Sequence, residues 1–333
     1  MAAYKPLWSH ILDHIIFDKI YVSEKKILKK TLFKENPLQA LIVYALLDEK
    51  GFGVTNKKGR VLIKRKYNER ELLFISQEGS EKAEIEYPGI GYIDYEFILN
   101  KIPKRPLFVF ENRLYLDLVE EDRARTLFQL SLTISTIRKW LWDKHLVMLN
   151  TPEVLRKEFN RLIPKNKVLF LDPRKFVDMI EKKDKIIALD PYAESVLNER
   201  VLYESTIIVL GGIVDRSKPL KKATTKIVDS LSREIGIDIE RYRLEIDGIT
   251  MAIPHRLNKI VEILLKTLVD KIPLRQAIIS VMTNRDIAWY LGLLYAKYKD
   301  RDLLFEKISE IERIKKKKIS KDVLKRAYKI AGI

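Results

Sequence analysis

The sequence predicts an α/β fold organised on a mainly parallel sheet, with a small α+β module before it and a basic helical tail after it. Short apolar, β-branched runs alternate with helix-periodic stretches over residues 107–289, the order expected when strands pair in parallel and helices cover both faces. Within that span Ile207-Ile208-Val209-Leu210 reads as a buried strand, and Gly211-Gly212 follows at once. A second punctuated segment, Arg243-Leu244-Glu245-Ile246-Asp247-Gly248, comes before a long apolar-periodic helix opened by Pro254. Strand, glycine pair, charged loop, helix, strand, loop and helix is the order of a ligand site at the carboxyl ends of parallel strands.

Composition bounds the answer. At 333 residues and 39.1 kDa the chain has material for two or three domains and ample core. No apolar run reaches the roughly 18–20 residues of a membrane span, and no signal-peptide pattern opens the chain. A soluble, cytoplasmic, monomeric protein is expected. Cysteine is absent, which excludes disulfides, thiolate metal sites and cysteine nucleophiles. With four histidines (His10, His14, His145, His255) no metal site is expected. Lysine and arginine number 63 against 46 acidic residues, a net charge of +17. That excess favours a polyanionic partner over a merely charge-rich, heat-adapted surface, which would mix its signs.

In chain order, residues 1–105 form the first module. Residues 7–20 and 38–47 have helical periodicity, with Pro37 at an early-helix position. Glycine punctuation then marks strands near 61–66, 72–76 and 83–87. Lys64, Arg65 and Lys66 make the tip basic, with Tyr67 and Phe74 nearby; an RNA-backbone grip and a solvated hairpin are equally weighted here. Pro103 and Pro106 mark a linker into a central domain, residues 106–292. There strands are expected at 113–118, 145–149, 168–171, 186–189, 206–210 and 242–246, with helices at 120–142, 174–182 and 193–199. Ser217 is expected to cap the central helix, with Pro219 in its first turn and Gly236 closing it. Lys218, Lys221 and Lys222 sit beside the glycine loop and divide evenly between RNA contact and solvent. The tail, residues 293–333, carries the run Lys315-Lys316-Lys317-Lys318 behind the apolar stripe Leu303, Leu304, Ile308, Ile311 and Ile314. A charge run usually just solvates a face, but where the preceding domain acts on nucleic acid an RNA grip is favoured.

Gly211-Gly212-Ile213-Val214-Asp215-Arg216, Arg243-Leu244-Glu245-Ile246 and Asn258-Lys259-Ile260-Val261-Glu262-Ile263-Leu264-Leu265 resemble the archaeal tRNA position-9 N1-purine methyltransferases of the SPOUT superfamily. The likeness spans residues 107–289, and the Gly-Gly-Ile-Val-Asp core is its most specific part. It implies a C-terminal trefoil knot whose loops bind S-adenosylmethionine in a bent shape. True knots are nearly absent from proteins, so the knot rests on the resemblance alone. The substrate implied is tRNA, the product N1-methylpurine at position 9, with adenine favoured and guanine possible.

Guanine N1 carries a proton that must leave, which asks for a general base. Adenine N1 offers a lone pair and yields a cation, which asks for a nearby negative charge. Asp215, matching the family's motif aspartate, is the candidate for either role, against an aspartate that merely structures its loop. Asp117, aligned with an acidic residue ending the family's first strand, is the second candidate. Asp190 is either a further carboxylate or a turn initiator. Main-chain groups and apolar walls at Leu210, Gly211, Gly212, Ile213, Leu244, Ile246, Gly248 and Ile260 are expected to hold the cofactor, with Asn258 aligned to the family's Asn or Thr. Lys259 departs from the family's frequent His. His255 reads as packed or solvated. Arg216 joins Lys218, Lys221 and Lys222 as an expected RNA contact. The competing function class is a noncatalytic RNA-binding or ribosome-assembly protein on the same scaffold.

Overall fold

The computed structural model describes residues 4–214, 217 and 220–332. Two six-stranded sheets share one continuous apolar core that runs from Leu7 to Ala327. The first sheet holds β1 (Lys19–Val22), β2 (Gly51–Val54), β3 (Lys58–Tyr67), β4 (Arg70–Lys82), β5 (Ile85–Gly89) and β6 (Gly91–Ile93), in the order β3-β4-β1-β5-β2-β6. β1 lies parallel to β4 and β5 at its centre, while β3 pairs antiparallel with β4 in a long hairpin.

The helix expected over 7–20 stops at Ile11 and passes through a 3₁₀ turn before β1. Ile20 and Val22 of that strand are fully buried, so burial on alternate positions prevails over local helical periodicity. The Pro37–Asp48 helix forms as the sequence predicts. Asn36 accepts from the Gln39 N–H at 3.2 Å, and Pro37 occupies the first turn, where its missing N–H costs nothing. Tyr67 and Phe74, expected at a basic tip, are core residues instead. The Tyr67 hydroxyl is bonded to Asn36 Oδ1 at 2.7 Å and accepts from the Leu38 N–H at 2.9 Å.

The second sheet is parallel throughout: β7 (Leu107–Glu111), β8 (Leu146–Leu149), β9 (Leu169–Leu171), β10 (Ile186–Leu189), β11 (Ile207–Gly211) and β12 (Glu240–Tyr242), ordered β12-β10-β11-β7-β8-β9. Its central strands are continuous apolar runs because both faces are covered. Leu107, Val109, Ile207 and Val209 point toward the helices Pro173–Met179 and Ala223–Ile235. Phe108, Phe110, Ile208 and Leu210 belong to the larger core, with the helices Glu120–Ile137 and Leu257–Leu268.

The strand expected at 113–118 is corrected by this register. The strand is Leu107–Glu111, paired residue for residue with β11, and Arg113–Asp117 is a 3₁₀ turn. The third helix lies at Glu199–Glu204, not 193–199, and the helix expected from Pro254 begins at Leu257. Gly236 closes the Ala223–Ile235 helix in the left-handed conformation (φ 67°), as expected. Ser217 does not cap that helix, which starts after Lys222; its backbone N–H and hydroxyl are bound to Asp122 and Glu121 at 2.8 Å each.

The tail helices Arg301–Lys315 and Lys321–Ala331 pack on the body. The second lies so close to the Asn284–Tyr298 helix that a Cβ at Gly292 would sit 2.6 Å from the Ala327 carbonyl oxygen. Leu304 and Ile311 of the expected stripe are buried. Among the described residues no helix is long and apolar enough to cross a membrane.

The one fully enclosed imidazole makes a pH prediction. His145 is 1 % exposed, with Nδ1 2.7 Å from the Pro106 carbonyl oxygen, and burial pushes its pKa down to about 4. The unfolded chain takes up this proton near pH 6.5, well before the folded one. Stability from this site is therefore present above about pH 6.5 and is lost as pH falls toward 4. Replacing His145 by Gln should flatten the urea-unfolding free energy across that window by roughly 3 kcal/mol or less. An unchanged slope would show that other groups govern the acid limb.

Candidate functional site

The carboxyl ends of β10 and β11 lie side by side and open into a cleft of 430 Å³. Leu189 ends β10 and Asp190 follows it; Leu210 and Gly211 end β11 and Ile213 follows it; Leu244, Thr250, Met251 and Ile260 face them. Of the residues expected to hold a cofactor, Leu210, Gly211, Ile213, Leu244 and Ile260 line this cleft. Gly211 keeps the wall open, since a Cβ there would meet Thr224 Oγ1 at 3.0 Å.

Gly212, Ile246, Gly248 and Asn258 do not line it. Gly212 faces away from the cleft: its N–H donates to the Glu111 carbonyl oxygen at 2.8 Å, and a Cβ would fall 2.2 Å from Asn112 Oδ1. Its glycine identity answers to the close approach of β7 and β11. Ile246 is buried and pairs with Ile249 through two backbone hydrogen bonds of 3.1 and 2.9 Å. Between them Asp247 (φ 50°) and Gly248 (φ 70°) make a tight two-residue turn of the Asp-Gly kind. Asn258 is buried near the start of the Leu257–Leu268 helix, and its Oδ1 has no hydrogen-bond partner among the described residues.

Asp190 is buried in the cleft wall, accepting from the Tyr192 N–H at 3.0 Å, as a turn-initiating aspartate does, and from the Thr225 hydroxyl at 2.7 Å. Asp117 is exposed and ends the 3₁₀ turn rather than a strand. The carboxylate that ends β7 is Glu111, fully buried, accepting from Arg113 Nε at 2.7 Å and Asn150 Nδ2 at 2.8 Å. Burial pushes its pKa up against those donors. Asp215, Arg216 and Lys218 lie outside the described residues.

Residues that sequence reasoning passed over hold the segments around the glycine loop. Asp122, Thr126 and Gln129 recur along one face of the Glu120–Ile137 helix and are all buried. Asp122 Oδ2 accepts from the Ser217 N–H at 2.8 Å, Thr126 Oγ1 from the Val214 N–H at 2.9 Å, and Gln129 Oε1 from the Leu257 N–H at 2.9 Å. The signal was present as polar residues spaced four and three apart, on a helix whose other positions were counted only for their apolar period.

The Asp247-Gly248 turn is fixed from the other side. Arg275 Nη1 donates to Asp247 Oδ1 at 2.6 Å, and the Tyr290 hydroxyl donates to Asp247 Oδ2. Arg275 also forms a two-pronged pair with Glu310 at 2.9 and 2.8 Å, reaching into the tail helix. Burial opposes ionisation of Asp247, but the hydrogen bonds from Tyr290 and Arg275 prevail and hold its carboxyl below the usual range. Among the described residues, no group of three or more acidic or histidine side chains is placed to hold a metal ion.

The cationic residues expected at RNA divide. Lys64, Arg65 and Lys66 are exposed on β3, and Lys221 and Lys222 are exposed at the start of the Ala223–Ile235 helix. Lys316, Lys317 and Lys318 are exposed, Lys318 pairing with Glu312 at 2.9 Å. Lys315 is the correction in this set. Its ammonium turns inward to the carbonyl oxygens of Ser280 (3.1 Å) and Met282 (2.7 Å), closing the carboxyl end of the Leu274–Val281 helix. Burial lowers its pKa.

Removing the Arg275 side chain should loosen the turn and the tail together. Arg275→Met leaves Asp247 and Glu310 facing each other without their shared cation, and a loss of about 1–3 kcal/mol is expected in chemical denaturation. A variant as stable as the parent would mean that the tail docks without this bridge.

No protein-family model matches the chain. It is 28% identical over 249 residues to a tRNA (adenine(9)-N1)-methyltransferase of Sulfolobus acidocaldarius, covering 75% of this chain and 77% of that protein. It is 24% identical over 196 residues to the tRNA (guanine(9)-/adenine(9)-N1)-methyltransferase of Thermococcus kodakarensis, covering 59% of this chain and 52% of that protein. Among solved structures, Sulfolobus acidocaldarius Trm10 in complex with S-adenosylhomocysteine superposes with a TM-score of 0.65 at 21% identity, over 98% of this chain and 99% of that one. A second structure of that protein gives 0.56 at 24% identity, over 82% and 96%. The mixed α/β architecture with its parallel sheet is therefore that of Trm10, and by sequence the chain is a relative of the archaeal tRNA position-9 N1-purine methyltransferases, as its Gly-Gly-Ile-Val-Asp stretch implied.

Proposed function

We propose that this chain is an S-adenosylmethionine-dependent tRNA methyltransferase that modifies N1 of the purine at position 9, adenine in preference to guanine. The observation that carries the proposal is the cleft where β10 and β11 end, walled by Leu210, Gly211, Ile213, Leu244 and Ile260 in a chain related to two enzymes of that activity. At 430 Å³ the cleft falls within the roughly 300–1,000 Å³ of small-molecule sites, and its apolar walls with exposed strand-end backbone suit an adenosyl group. When bound, the cofactor supplies a methyl group on a sulfonium centre.

The chain's own part is to bind, orient and manage charge, and in-line transfer gains most of its rate from such positioning. Asp215 is the residue that takes the proton from guanine N1, or stabilises the cation forming at adenine N1. Thr126 and Asp122 hold the N–H groups of Val214, just before it in sequence, and Ser217, two residues after it. In this reading the C-terminal half of the methyltransferase domain forms the trefoil knot. Residues 1–105 and 293–333 serve as RNA-gripping units around the methyltransferase domain, residues 106–292. The protein acts as a cytoplasmic monomer with no metal.

Two outcomes test this. S-adenosylhomocysteine at a hundredfold its Kd should raise the unfolding free energy by about 2.7 kcal/mol, and Gly211→Val should lower its affinity tenfold or more by filling the wall next to Thr224. Unchanged affinity in that variant would put the cofactor elsewhere. On transcripts with adenine or guanine at position 9, single-turnover transfer by Asp215→Asn separates its two roles. Near-silence on guanine is the mark of a base, whereas a loss on adenine below about 10²–10³ is the mark of charge stabilisation. Full activity on both would leave Asp215 a loop residue.

A further inference from the structure

A second cleft, of 270 Å³, opens beside the first and shares Met251, Pro254 and His255 with it. Resting on the tRNA reading above, we propose that this second cleft takes the RNA nucleotide next to the target purine. Its phosphate would lie on Arg256 and Arg285, and its base on Trp289.

The charge and pairing of the lining point to a nucleotide. Arg256, Lys259 and Arg285 contribute three cations, and Asp286 is the acidic residue among the lining side chains. Asp286 is already committed, since its Oδ2 accepts from both the N–H and the hydroxyl of Thr283 at 2.8 Å in the capping box of the Asn284–Tyr298 helix. Lys259 is held by Glu262 at 2.8 Å. Arg256 and Arg285 are exposed, and neither has an acidic partner among the described residues. Arg113, Arg243 and Arg275, by contrast, each engage carboxylates at 3.0 Å or less. Two uncommitted guanidiniums across a concave surface form a phosphate site of the forked-donor kind. Trp289 stands half-buried in the same lining and offers the flat apolar face on which any base can stack. Because the shared wall is Met251, Pro254 and His255, a nucleotide seated here lies directly beside the occupant of the first cleft.

The test is the double variant Arg256→Gln/Arg285→Gln with Trp289→Ala and Trp289→Phe, each assayed for tRNA binding across a salt series, for S-adenosylhomocysteine affinity and for methyl transfer. The double variant should bind tRNA at least tenfold more weakly, with the slope of log affinity against log salt shallower by about one per arginine and cofactor affinity unchanged. Trp289→Ala should lower kcat/KM for tRNA about tenfold, and Trp289→Phe should recover most of it, because stacking needs an aromatic face rather than the indole itself. Unchanged tRNA affinity and salt slope in the double variant overturn the inference while leaving the parent's methyl transfer intact. A parent that transfers no methyl group to tRNA overturns the functional reading, and this inference with it.

Discussion

The hydrogen bond from the Gly212 N–H to the Glu111 carbonyl oxygen, 2.8 Å long, is the point on which the arrangement of the molecule turns. It continues the β7–β11 ladder one residue past its last pair, Gly211 with Glu111, and it requires a backbone approach that leaves no room for a Cβ beside Asn112. With β11 clamped against β7 on one side and β10 on the other, the carboxyl ends of all three strands come level. A parallel sheet collects its connecting loops at that edge, so the cleft is a consequence of strand direction before it is a property of any side chain. A hydrogen bond of this kind contributes only about 1 kcal/mol net, but leaving its two groups buried and unpaired costs more, which is why the register is held firmly.

The loops at that edge are then tethered by polar groups from outside the sheet, most of them buried. Asp122, Thr126 and Gln129 reach from one helix to Ser217, Val214 and Leu257. Arg275 and Tyr290 reach from two others to Asp247. Buried polar side chains are costly unless satisfied, and here each satisfies a backbone group or carboxylate of a loop that lacks a ladder of its own. The tail enters the same scheme through Glu310 and through the close packing at Gly292. It is a brace for the Asp247-Gly248 turn as well as a source of exposed lysines.

What the sequence made legible follows from which signals are local. Apolar runs such as 186–189 and 207–210 appear where expected because a strand buried on both faces has no alternation to misread. The 107–111 strand was assigned six residues late: Arg113-Leu114-Tyr115-Leu116-Asp117 alternates like a strand, yet it is the preceding run that pairs with β11. The acidic residue that ends the strand is therefore Glu111, and Asp117 ends the 3₁₀ turn after it. Five of the residues expected to hold a cofactor line one cleft, because strand-end and loop positions are marked by glycine and by apolar runs. Gly212 was misread because a glycine that admits a ligand and one that admits a neighbouring strand look alike until the partner is in place. Thr126 and Gln129 were missed because long-range hydrogen bonds leave no periodic trace beyond a polar stripe.

Charge shows the same division between amount and address. A net +17 indicates the class of partner but not where it is met, because most of the information lies in how each cation is paired. Within one four-lysine run, Lys315 closes a helix end while Lys316 and Lys317 stand in solvent. Around the sheet edge, Arg113, Arg243 and Arg275 are bound to carboxylates, whereas Arg256 and Arg285, which flank the second cleft, have no carboxylate partner among the described residues. A paired arginine gives up an existing interaction to take a phosphate; an unpaired one gives up only water and counterions, whose release is itself favourable. The uncommitted cations therefore bind a polyanion more tightly than committed ones of equal charge. In this fold two of them lie beside the cleft that ends β10 and β11.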